Sequence, residues 1–145
     1  SVSLLVLIFY GRKVFIILRP RLRSMRPSIR KRTAFLFHGE SFLSFIQSFR
    51  DIGLFLLDEP EAALSPQRQL TLLIQLSTMA WEGSQFLIAT NSPILLGIPN
   101  AQILSFDDGI IEEITYEQTA SYQITEMFIN NREYILTSCY GKNEK

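Results

Sequence analysis

The run LFLLDEPEAALSP, residues 54–66, constrains what this chain can fold into more than any other stretch. Leu54, Phe55, Leu56 and Leu57 follow one another with no polar alternation, the pattern of a strand covered on both faces. Such a strand needs helices above and below its sheet, so the run predicts an α/β fold with a mainly parallel sheet. Asp58 and Glu59 stand at its carboxyl end, the edge where open α/β sheets present ligand-binding groups. Acidic residues are also favoured at the start of a helix by its dipole, in a solvated role with no ligand. The two readings differ in what the carboxylates face.

The neighbouring segments extend the run into a βαβ unit. Ser65 followed by Pro66 predicts a helix start, with serine as N-cap and proline at the first helical position. The helix continues through QRQLTLLIQLSTMAW and stops near Gly83, and residues 85–90 form a second buried strand. A strand, a helix and a strand joined by short turns predict a right-handed crossover between parallel strands. Asp58 and Asn91 then fall on the same sheet edge, on neighbouring strands. Upstream, Phe42, Phe45, Ile46 and Phe49 recur at helical spacing opposite Ser41, Ser44, Gln47 and Ser48, which predicts an amphipathic helix over residues 40–51. Its first turn carries Gly39, Glu40 and Ser41, whose backbone amides can meet an anion. Downstream, residues 101–106 and 110–115 read as strands joined by a hairpin at Asp108 and Gly109. Asp107 and Asp108 are assigned to that turn rather than to a metal. A last helix is expected over residues 119–130.

Composition narrows the classes. The 145 residues suffice for one core, and an apolar content of 47% fits a globular chain rather than a disordered one. Net charge is zero but uneven: Arg12, Lys13, Arg19, Arg21, Arg23, Arg26, Arg30, Lys31 and Arg32 fall within the first 39 residues, which hold no acid. The segment RPRLRSMRPSIRKR has two prolines and no apolar period, so it reads as a loop. Residues 12–32 are a possible nucleic-acid or acidic-membrane contact, without the regularly spaced aromatics that stack on bases. A lone cysteine, Cys139, excludes an internal disulfide framework and points to a reducing compartment, the cytoplasm; it is read as an ordinary buried or partly buried thiol. His38 is the only histidine, so no His-rich zinc site is expected. The opening SVSLLVLIFY is too short to span a bilayer and lacks the charge and cleavage site of a signal peptide, so no membrane span is expected. It reads as a strand joined to VFIIL by a tight GRK turn, and the abrupt start at Ser1 as an N-terminal truncation.

Four collinear segments carry a family resemblance: HGESFL at 38–43, LFLLDEPEAALSPQRQ at 54–69, GSQFLIATNSPILL at 83–96 and AQILSFDDGIIEEITYEQT at 101–119. From about residue 38 to 136 the chain resembles the carboxyl-terminal half of an ABC-type AAA family ATPase, a predicted ATPase related to the RecF and SMC head domains. The resemblance implies part of a P-loop NTPase head over residues 34–138, an apolar and basic segment over 1–33 outside it, and a disordered tail over 139–145. It implies ATP and Mg²⁺ held between two heads, so that the partner is a second ATPase head. Asp58 would hold the magnesium, and Glu59 would polarise the attacking water. Residues 62–65 would form the loop that touches the partner head, with Ser65 near the place of its usual aspartate.

Three departures weaken the implied chemistry. The family's signature motif commonly begins with serine, whereas the corresponding residues here are Phe37, His38, Gly39 and Glu40, followed by Ser41; a phenyl ring has no donor for a phosphate. The switch histidine is replaced by Asn91 in ATNSP. Asparagine can donate to a γ-phosphate but carries no charge, and it is also an ordinary turn residue. No G-x-x-x-x-G-K-[ST] loop occurs; the only Gly-Lys, at 141 and 142, has the wrong spacing and position. The chain alone is therefore expected to be inactive. The alternatives are a degenerate head that regulates an intact ATPase, a gene remnant, or a basic-arm nucleic-acid binder.

Overall fold

The computed structural model describes residues 14–19, 44, 46, 52–106 and 110–140. Five strands form one mixed sheet: β1 (Val14–Leu18), β2 (Leu54–Asp58), β3 (Gln85–Thr90), β4 (Gln102–Ser105) and β5 (Glu112–Ile114), in the order β2-β3-β1-β4-β5. Helix α1 (Pro66–Trp81) joins β2 to β3, and helix α2 (Ala120–Tyr140) follows β5.

The expected βαβ unit is present. β2 and β3 are parallel, with Leu54 opposite Gln85 and Asp58 opposite Ala89. Phe55 and Phe86, partners in that register, stack with ring centroids 5.0 Å apart. Helix α1 buries Leu72, Leu76, Met79 and Ala80 in the same core as Ile16, Phe55, Leu57, Phe86 and Ile88. Its amino end is built as the Ser65-Pro66 pair predicts: Ser65 Oγ accepts from the Arg68 amide and Pro66 occupies the first turn. At its other end Gly83 takes φ +115°, where a side chain would be strained and its Cβ would lie 3.4 Å from Ile52.

The rest of the sheet corrects the expectation of a mainly parallel one. β1 runs antiparallel to both β3 and β4, and β4 is antiparallel to β5, so three of the four pairings are antiparallel. A strand such as VFIIL, apolar on both faces, fits the middle of a sheet in either direction. Its side chains specify burial, while the connections and partners specify polarity. Both edges of β1 are taken, by β3 and β4, and the strand expected upstream of the GRK turn lies outside the described residues. The β4–β5 hairpin is present, although residues 107–109 at its tip are not described.

Of residues 40–51 only Ser44 and Ile46 are described; both are helical, with Ser44 exposed and Ile46 buried, as an amphipathic helix requires. Helix α2 departs from expectation at its end. A non-helical residue, Asn131 (φ −129°, ψ 27°), falls beside the expected stop at 130, but the helix resumes and reaches Tyr140. Cys139 and Tyr140 therefore belong to a helix and not to a disordered tail, and the Cys139 thiol is exposed, not buried. Residues 141–145 lie outside the described set. Among the described residues no helix is long and apolar enough to cross a membrane.

Candidate functional site

Parallel pairing carries the carboxyl ends of β2 and β3 to one edge. Asp58 closes β2 opposite Ala89, and Asn91 directly follows the end of β3 at Thr90, so the two candidates lie at the same ends of neighbouring strands as expected. The Glu59 amide donates to the Ala89 carbonyl at 2.8 Å, extending the ladder one residue past Asp58. Glu59 itself adopts φ +46°, a left-handed conformation that costs a non-glycine residue about 1–2 kcal/mol. The chain turns sharply there, and a second left-handed residue, Ala63 (φ +65°), completes the bend. Backbone bonds from Ala62 to Glu59 and from Leu64 to Glu61, each 2.9 Å, close the turn. Leu64 anchors it in the core while Ala63 and Ser65 face solvent.

Behind this edge lies a polar cluster that the sequence reading missed. Thr90, fully buried at the end of β3, donates its hydroxyl proton to Glu61 Oε1 and accepts the Ser92 amide at 3.0 Å. Ser92 Oγ donates to Gln69 Oε1 at 2.6 Å and accepts the amides of Ile94 and Leu95, each at 3.2 Å. Gln69 Nε2 in turn donates to the Leu64 carbonyl at 3.0 Å. The turn after β2, the first turn of α1 and the loop after β3 are thus stitched together by side chains. From the other side, the Tyr116 hydroxyl donates to the Pro93 carbonyl at 2.7 Å. Burial is the larger cause, and the adjacent Glu117 charge the smaller, of a Tyr116 pKa raised above the ordinary tyrosine value.

Asn91 is exposed between the two clamped residues Thr90 and Ser92, and Asp58 and Glu59 are half-buried. Ser65 is exposed and caps α1 with its own hydroxyl. The structure therefore brings Asp58, Glu59 and Asn91 to one edge and gives Ser65 a local role. Phe37, His38, Gly39, Glu40 and Ser41, the expected signature segment, lie outside the described residues, as do residues 12, 13 and 20–32 of the basic run. No group of three His, Cys, Asp or Glu residues able to cage a metal occurs among the described residues. The Ser92-Pro93 step did signal a turn. Glu61 and Gln69 gave no such signal, because their partners are 29 and 23 residues away. No known family model, curated protein or solved structure matches the chain.

Proposed function

We propose that this chain is the Walker B half of a P-loop NTPase head, an ABC-type AAA ATPase domain that hydrolyses ATP only when joined to a phosphate loop. The supporting observation is the juxtaposition of Asp58, Glu59 and Asn91 at the carboxyl ends of two adjacent parallel strands. Magnesium keeps several waters and takes one or two protein carboxylates together with substrate phosphates. A half-buried Asp58 at a strand end fits that role, and an all-protein cage is not required. In this reading Asp58 holds the ion and Glu59 orients and deprotonates the attacking water. The Asn91 amide would donate to the γ-phosphate and Ser65 would meet a second head, the partner that the signature segment 37–41, outside the described residues, is also expected to contact. The ion supplies charge neutralisation on the phosphates when bound.

The test uses the longest natural protein that contains these residues. Glu59→Gln is expected to lower its ATP hydrolysis on the order of 100-fold, the loss of an oriented general base; an unchanged rate removes Glu59 from that role. The 145-residue chain alone is expected to show no saturable Mg-ATP binding below millimolar in calorimetry, for want of an amide cradle. A micromolar constant would contradict this.

A second reading, a non-enzymatic head that pairs with and regulates an intact ATPase, is favoured by Phe37 and Asn91 standing where a hydroxyl and a histidine are expected. It predicts an effect on a partner's hydrolysis that survives Glu59→Gln.

A further inference from the structure

We propose that Glu61 is a positioning residue that holds the Asn91 loop to the Asp58–Glu59 turn through Thr90, a role that rests on the nucleotide-site reading above. Glu61 leaves a turn with two left-handed residues, Glu59 and Ala63, and such conformations persist only where the surroundings over-determine them. Its side chain is half-buried and turns toward the end of β3. One oxygen, Oε1, receives the Thr90 hydroxyl, and the other, Oε2, is buried and has no hydrogen-bond partner among the described residues. Burying a carboxylate oxygen is costly, and the hydrogen bond from Thr90 to Oε1 offsets part of that cost.

The consequence runs through Thr90. Its hydroxyl has a single proton, and donating it in the hydrogen bond to Glu61 Oε1 leaves the lone pairs of Oγ1 for the Ser92 amide. Thr90 and Ser92 flank Asn91, so fixing both fixes the backbone from which the exposed asparagine side chain projects. The circuit closes on itself. Ser92 holds Gln69, Gln69 holds the Leu64 carbonyl, and the Leu64 amide donates to the Glu61 carbonyl. A displacement of the Glu59 turn is thereby transmitted to Asn91, and the reverse, through this circuit.

The test is amide hydrogen exchange of the full 145-residue chain, read by NMR at Ser92 with Leu87 and Ile88 of β3 as internal controls. Glu61→Ala and Thr90→Val are each expected to speed exchange at Ser92 about tenfold, as the loss of one hydrogen bond would. The double variant should add nothing to either single change, because both break one circuit. Glu61→Gln keeps an acceptor for the Thr90 hydroxyl and should stay near the parent rate. Unchanged exchange at Ser92 in the single variants, or effects that sum in the double, overturns the proposal. Should Glu61→Ala fail to fold, Thr90→Val against Glu61→Gln decides: equal acceleration by both also overturns it. No nucleotide enters this measurement, so a flat Ser92 response retires the Glu61 role alone. An unchanged hydrolysis rate in Glu59→Gln retires the Glu59 assignment while leaving the Ser92 result intact.

Discussion

The two halves of the sheet are built on different terms. β2 and β3 are parallel, need a helix to connect them, and are sealed by α1, whose Leu72 and Leu76 are fully buried. β4 and β5 form a local antiparallel hairpin, β5 shows Glu112 and Glu113 to solvent, and α2 beyond them exposes Ile124, Met127, Phe128 and Ile129. The first half stores its stability in long-range packing and carries a polar edge with strained turns. The second is joined to the sheet by the β1–β4 pairing and adds local pairing and capping: Thr115 and Gln118 cap the 3₁₀ turn Tyr116–Gln118, and the Thr119 hydroxyl accepts the Tyr122 amide at the start of α2. Groups held in strained conformations need a packed support, and the sealed β2–α1–β3 unit provides one for the Glu59 turn.

The comparison breaks most easily at Leu72. Leu72→Ala removes a fully buried side chain from the α1–sheet interface and should cost about 2–5 kcal/mol in denaturant unfolding. A loss below 1 kcal/mol would mean that the α1 interface is not the main store of stability. Ser65→Ala deletes the α1 cap and should cost about 1 kcal/mol, without altering the core. A much larger loss would mean that Ser65 supports more of the edge than its one amide.

Tyr116→Phe joins the two halves in one experiment, since the hydroxyl ties the hairpin side to the Pro93 carbonyl. Removing it should cost about 0.5–1.5 kcal/mol near neutral pH. Because the folded state raises the Tyr116 pKa, its neutral form is favoured by folding. That stability is fully present below the ordinary tyrosine pKa of about 10 and is lost as pH rises through the raised folded value. The variant should therefore show a shallower alkaline loss of stability, not an unchanged one. Tyr122 is displaced in the same direction, mainly by its hydrogen bond to Glu126, so part of the alkaline slope should remain. Smallest of all, Ile129→Ser on α2, where the side chain is 70% exposed, should change stability by no more than about 0.5 kcal/mol. A loss as large as that of Leu72→Ala would show that the α2 face is packed in solution and would erase the contrast.

Much of the parallel half was legible along the chain because its signals are local. Four consecutive apolar residues, a Ser-Pro helix start and a glycine at the helix end lie within 30 residues, and β2, α1 and β3 formed where they predicted. The placement of Asp58 and Asn91 on one edge followed from them. Hairpin β4–β5 was legible for the same reason. The polarity of β1 was not, because a strand apolar on both faces reads the same in either direction. The run of α2 past residue 130 was not either, since an asparagine that ends one helical segment does not prevent another from starting.

The candidate site divides in the same way. Residue types and their order along the chain determined that two carboxylates and an asparagine would follow buried strands, since burial pattern and turn chemistry are properties of neighbouring residues. Only the tertiary structure decided that Glu61 reaches Thr90 and that Gln69 reaches Ser92. Those bonds join residues brought together by the crossover, and a hydrogen bond needs a donor and acceptor aligned within about 3 Å, a condition that sequence separation does not encode.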